Sequence, residues 1–233
     1  SIGLVGSEMC IRDRYKSFPF CYENLSFDQP QLIDSQNQAV SIAGQWKPTL
    51  GVALGDLILE LACGKGEYTV GMAEHYPENG YIGVDIKGAR MHQGACFVND
   101  KKLSNAAFIR SRIELIEHFF SPGEVDGIFI IFPDPFLRNR SASRRLTSPP
   151  FLDRYRKICD PKATIRLKTD SPELYKYTLG VIQKQKLQIK YQIDDVYAGQ
   201  CSLWGLQEIQ TFYETMHLEA KRTIMYVEFN LFT

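Results

Sequence analysis

The sequence predicts a doubly wound α/β domain, a mainly parallel sheet covered by helices on both faces. Three observations predict it. Beyond Leu50, short apolar runs alternate with longer amphipathic ones at the spacing βα units require. A composition of 44% hydrophobic and 23% charged residues is that of an ordinary globular chain, which excludes fibrous and disordered classes. At 233 residues the chain is long enough to bury a core without staples.

Taken in order, seven runs read as strands: 57–61, 81–86, 106–110, 127–132, 164–169, 187–196 and 223–231. Between them, 67–76, 88–103, 113–119, 151–159, 172–184 and 207–218 read as helices with one polar and one apolar face. Ser148 before Pro149 and Ser171 before Pro172 each place a capping side chain ahead of a proline tolerated in the first helical turn. Helical crossovers between parallel strands put this sheet in the doubly wound class. Residues 1–50 are expected to form an N-terminal arm and 51–233 the domain proper. The arm sets Phe18, Phe20, Tyr22, Phe27 and Trp46 among polar residues and prolines, so it is expected to be irregular, with one helix near 35–43, and to cover the body. The opening segment, 1–14, has no basic start and no long apolar core, so no secretory signal is expected there; it is expected to be foreign to the fold or a partial start. The longest apolar runs, such as 128–132, fall far short of the roughly 20 residues needed to span a bilayer, and no membrane partner is expected.

Whole-chain charge says nothing about partners, because 27 basic residues balance 27 acidic ones. Its distribution does. Between Phe136 and Lys168 stand ten basic residues against Asp153 and Asp160, a net of plus eight, leaving minus eight for the rest. Most are arginines, whose planar fork matches phosphate oxygens, so this stretch predicts a polyanion-binding face. The six cysteines are scattered without a C-x-x-C pair or a histidine cluster; reduced thiols in a cytoplasmic protein, with no metal, are expected.

The first strand ends in Leu59-Glu60-Leu61-Ala62-Cys63-Gly64-Lys65-Gly66-Glu67, so Gly64 and Gly66 stand where strand gives way to helix. In an open α/β sheet that turn lies at the ligand crevice, where bare backbone admits a cofactor. The second strand ends in Gly83-Val84-Asp85, and a carboxylate there suits a ribose diol. A dinucleotide fingerprint would require glycine where Thr69 stands, which makes a nicotinamide dinucleotide the runner-up. Glu60 suits a cationic amine and would repel a pyrophosphate, so S-adenosylmethionine fits better. The fourth strand runs into Pro133-Asp134-Pro135-Phe136-Leu137-Arg138, a stiff element that holds Asp134 beside the cofactor's reactive group.

Glu60-Leu61-Ala62-Cys63-Gly64-Lys65-Gly66, Gly83-Val84-Asp85, Phe132-Pro133-Asp134-Pro135, Arg144-Arg145-Leu146, Leu167-Lys168-Thr169-Asp170 and Thr211-Phe212-Tyr213-Glu214 follow one another in an order and spacing that resembles the bacterial tRNA (guanine-N7)-methyltransferase family over about residues 50 to 230. The resemblance implies a Rossmann-like class I S-adenosylmethionine-dependent methyltransferase fold with a seven-stranded sheet, acting on tRNA as a monomer or homodimer. It implies that Glu60, Gly64, Gly66 and Asp85 hold S-adenosylmethionine, that Asp134 is both cofactor-adjacent and catalytic, and that Arg138, Arg144, Arg145, Asp170, Thr211, Tyr213 and Glu214 bind the substrate. There are two departures. Where the family commonly has an aspartate near the adenine this chain has Arg112, with Glu114 as a substitute from the next turn. Phe136-Leu137-Arg138 replaces the usual tryptophan and lysine. A methyltransferase with another substrate and a non-catalytic RNA-binding protein are the alternatives.

Overall fold

The computed structural model describes residue 15 and residues 17–24, 26–201, 203 and 205–233; the opening segment 1–14 lies outside the described residues. Its centre is a parallel array. β4 (Leu57–Leu61) lies between β5 (Gly80–Asp85) and β7 (Val125–Ile131), with β6 (Ala106–Arg110) beyond β5 and β8 (Cys159–Thr169) beyond β7. All these neighbours pair in parallel. β10 (Met225–Asn230) and β9 (Ile189–Ile193) complete one edge antiparallel. From β4 the chain winds outward through β5 and β6, then crosses to β7 and β8, so the direction of winding reverses at β4. A crevice at the carboxyl ends of β4 and β7 is the result.

Both faces of the sheet are buried, which is why the central strands read as near-continuous apolar runs. Alternation still sorts the side chains. Leu57, Leu59 and Leu61 pack with Ile128, Ile130, Leu152, Tyr155 and Leu167 on one face. Ile58 packs with Tyr68, Met72, Met91, Phe108 and Phe129 on the other. Period two puts Glu60 on the Ile58 face, under α2 (Glu67–His75). The other long helices follow the same logic. α3 (Gly88–Lys101) buries Met91, Ala95 and Val98 at three- and four-residue steps. α5 (Pro172–Lys184) opens at Ser171, whose Oγ accepts from Leu174 N at 3.2 Å, and buries Leu174, Thr178, Val181 and Ile182. α4 (Pro149–Arg156) starts at the two prolines.

Among the described residues the sheet has ten strands, three more than the sequence predicts, because the arm enters it. β1 (Cys21–Glu23) adds to β6 in parallel. The predicted helix over 35–43 is instead half of a hairpin, β2 (Leu32–Ile33) to β3 (Ala39–Val40). The cause is local. Asp34 Oδ1 accepts from the N–H groups of Gln36 and Gln38, and Asn37 takes φ 61°, a turn that competes with the helical path. The arm covers the body: Trp46, in the short α1 (Trp46–Thr49), is fully buried, stacks on Phe120 and donates Nε1–H to Phe119 O at 2.8 Å. Phe27 stays exposed. Elsewhere element ends shift. The predicted helix 113–119 is a 3₁₀ turn, Ile113–His118, and 207–218 shrinks to α6 (Phe212–Glu219), capped by Thr211.

Candidate active site

The turn after β4 is shaped by backbone. Ala62, Gly64 and Gly66 all take positive φ, 59°, 57° and 73°. A Cβ on Gly64 would meet nothing within 4 Å, so its backbone faces open space; a Cβ on Gly66 would stand 2.5 Å from the Phe108 ring. The first glycine leaves room for a ligand, and the second lets α2, α3 and β6 close beneath the loop. Asp85, at the end of β5, accepts from Gly64 N at 3.0 Å and from Lys87 N at 2.8 Å, which fixes its carboxylate against the turn.

Thr69 occupies the place where a dinucleotide fingerprint needs glycine, and it has a use of its own. Glu60 Oε2 accepts from Thr69 N at 2.8 Å and from Thr69 Oγ1. Burial pushes the Glu60 carboxyl up to about 8 despite these two hydrogen bonds. A carboxylate that costs this much to ionise is suited to a cationic partner, whose charge lowers that cost.

Two hollows meet at these residues. A cleft of about 690 Å³ is lined by Glu60, Gly64, Asp85, Asp134, Asp170, Thr211 and Tyr213. A slot of about 280 Å³ lies beside it, with Ile86, Ile113, Leu146 and Phe151 as apolar walls and Arg112, Glu114 and Arg144 at its rim. Ala62, Asp85, Ile86, Pro133 and Asp134 border both. Polar groups in the cleft, carboxylates at the junction and an apolar-walled slot suit a ligand with an amino-acid end, a ribose and a purine.

Asp134 is carried on a strained loop. Phe132 and Phe136, neither a glycine, hold φ 46° and 43°, each costing roughly 1–3 kcal/mol. Asp134 itself is exposed, and its Oδ1 accepts from Phe136 N at 3.1 Å. Two neighbouring arginines grip this loop differently. Arg145 is buried, donating from Nε to Pro135 O at 3.2 Å and from Nη2 to Phe136 O at 3.1 Å, with its guanidinium 4.2 Å from the Tyr177 ring. Arg144 is exposed and lies 4.4 Å over the Phe136 ring. Arg138 and Arg140 are exposed at the start of a 3₁₀ turn, Asn139–Arg144.

The far wall comes from β8 and α6. Asp170 accepts from Arg222 Nη1 at 2.7 Å, with His217 Nδ1 3.4 Å away. Thr211 Oγ1 caps α6 by accepting from Glu214 N at 3.2 Å, while Tyr213 is 41% exposed. Glu214 is fully buried and ion-paired with Lys168, equally buried, and it accepts from Tyr197 OH at 2.7 Å. Burial lowers the Lys168 pKa while Glu214 opposes the shift.

A family model described as "Putative methyltransferase" matches residues 55–225. The curated tRNA (guanine-N(7)-)-methyltransferase of Christiangramia forsetii is 39% identical over 212 residues, covering 90% of this chain and 95% of its own. The chain belongs to the tRNA (guanine-N7)-methyltransferase family. The protein of that name from Porphyromonas gingivalis is 40% identical over 86% of this chain and 81% of its own. Among solved structures, the 16S rRNA methyltransferase KamB superposes with a TM-score of 0.61 at 11% identity, covering 84% of this chain and 97% of its own. The antibiotic-resistance methyltransferase Kmr gives 0.58 at 18%, covering 84% and 96%. At such identities these two speak to fold alone, and the fold is that of the class I S-adenosylmethionine-dependent methyltransferases.

The structure therefore brings Glu60, Gly64, Asp85, Asp134, Asp170, Thr211 and Tyr213 into one cleft, with Arg112, Glu114 and Arg144 at the adjoining slot. Gly66 lies beneath the loop, and Arg145 and Glu214 are buried in contacts with protein groups. Arg90, His217 and Arg222 line the cleft without having been singled out in the sequence. Such residues carry no signal in sequence until the fold sets His217 and Arg222 beside Asp170 and Arg90 on the cleft.

Proposed function

We propose that the protein transfers a methyl group from S-adenosylmethionine to N7 of a guanosine in the variable region of tRNA. The observation that carries this reading is Asp134, held at the junction of the cleft and the slot by a strained, clamped loop. Glu60 would take the cofactor's amine, Asp85 its ribose hydroxyls, and the slot between Ile86 and Ile113 its purine, with Arg112 and Glu114 at the rim. When bound, S-adenosylmethionine supplies a methyl group on a cationic sulfur, open to attack by a lone pair.

Guanine N7 already has that lone pair, so no proton need be removed before transfer. The task left to the chain is alignment and charge. Asp134, on the lip between the hollows, would hold the purine by its N–H groups and offset the positive charge that grows on the ring. Asp170 and Tyr213 stand on the opposite wall of the cleft, where the guanosine would be gripped. N7 lies on the major-groove edge, which is deep and narrow in A-form RNA, so the target nucleotide must be unpaired or swung out. The exposed Arg138, Arg140 and Arg144 flank the Asp134 loop and suit the phosphates on either side. Incubation with methyl-labelled S-adenosylmethionine and unmodified tRNA, followed by mapping of the label, tests the reading. It requires 7-methylguanosine at one position; label on another base or on none would refute it.

A further inference from the structure

We infer that Arg145 is a positioning residue for Asp134 and not an RNA ligand, although it neighbours Arg144 in a basic stretch. The inference rests on the methyltransferase reading and deepens it. Its first support is geometry. The Arg145 side chain donates to two consecutive carbonyls, Pro135 O and Phe136 O, on the residues that follow Asp134. Its second is burial: Arg145 is 6% exposed, and the Tyr177 ring covers its guanidinium at 4.2 Å, leaving little cation to offer a phosphate. Its third is strain. Phe136 is left-handed at φ 43°, and its N–H is the one that Asp134 Oδ1 accepts. The loop would relax away from this path if nothing held it, and the Asp134 carboxylate would turn with it. Pro135 O and Phe136 N–H are the two ends of one peptide: Arg145 Nε grips its carbonyl and Asp134 Oδ1 accepts from its amide, so the guanidinium acts on the carboxylate through that peptide.

Arg144 marks the contrast. It is exposed, packs on the Phe136 ring and, among the described residues, grips no backbone carbonyl, which leaves its charge available at the slot rim. Two adjacent residues of one type thus divide between loop geometry and RNA contact.

The test compares Arg145→Met with Arg144→Met, measuring tRNA affinity against salt, S-adenosylhomocysteine affinity and kcat. For Arg145→Met, kcat should fall about 10- to 100-fold, with both affinities within about threefold and the salt slope unchanged. For Arg144→Met, the salt slope should drop by about one as a phosphate contact is lost. A reduced salt slope for Arg145→Met would overturn the inference, as would unchanged kcat. Should Arg145→Met not fold, Tyr177→Leu removes the ring behind the guanidinium and should lower kcat alone; an unchanged kcat there overturns the inference equally. Wild-type protein that fails to methylate tRNA would count against the proposed function, whereas wild-type activity with either overturning result counts against Arg145 only.

Discussion

The two walls of the cleft are built by opposite means. The wall proposed for the cofactor, from Glu60 to Asp85, is one continuous βαβ unit whose shape comes from backbone: two glycines at positive φ, a helix start and two carboxylates fixed by main-chain N–H groups. The substrate wall is assembled from β7, β8, α6 and the turn at Arg222, and side chains hold it: Arg145 on two carbonyls, Lys168 on Glu214, Arg222 on Asp170. On the proposed reading, a cofactor of constant shape would be met by a surface that needs no adjustment. The wall that would face a large RNA is stitched from distant parts of the chain, where single side chains carry the geometry.

If the walls divide the work in this way, substitutions should separate binding from transfer. The largest effect belongs to Asp134→Ala, which should lower kcat by roughly a hundred- to a thousandfold while S-adenosylhomocysteine affinity, read by calorimetry, stays within about threefold. Equal loss of both would erase the distinction between the walls. Next comes Gly66→Ala. An added methyl 2.5 Å from the Phe108 ring at φ 73° should cost about 2–4 kcal/mol of stability in denaturant melts and weaken the cofactor with it.

The third prediction concerns pH. With the Glu60 carboxyl raised to about 8 in the free protein, a cationic amine must displace a proton to bind. Cofactor affinity should therefore rise some tens of fold between pH 6 and 8 and level off above, and Glu60→Gln should flatten that rise. The sign for folding is the reverse: a carboxyl raised above its unfolded value loses stability as pH increases from about 4.5 towards 8, so the cofactor-free protein should melt earlier across that window. Affinity that falls with pH would show that Glu60 does not meet a cation. The smallest effect is expected of Arg144→Ala, a few-fold loss of tRNA affinity with the salt slope reduced by about one.

The difference between the walls also explains what the sequence disclosed. The central strands and the glycine turn were legible because their signals are local: apolar runs, two glycines one residue apart, a carboxylate at each strand end. The proline-flanked Asp134 was legible as chemistry for the same reason. Strands β1 to β3 were not, since two or three residues carry no periodicity and the turn at Asp34 shows only in its hydrogen bonds. Nor does sequence distinguish Arg144 from Arg145, because their difference is burial against a loop ten residues back and a ring some thirty residues ahead. Glu214 was legible as part of a motif, but its pairing with Lys168 exists only once β8 and α6 are packed together.

The central claim is that one ligand lies along the cofactor wall with its reactive end towards Asp134. A crystal structure with S-adenosylhomocysteine tests it directly. The account predicts the amine at Glu60, the ribose at Asp85, the purine between Ile86 and Ile113, and the sulfur facing the Asp134 carboxylate. A ligand bound elsewhere, or a sulfur turned away from Asp134 with the purine outside the slot, would contradict it.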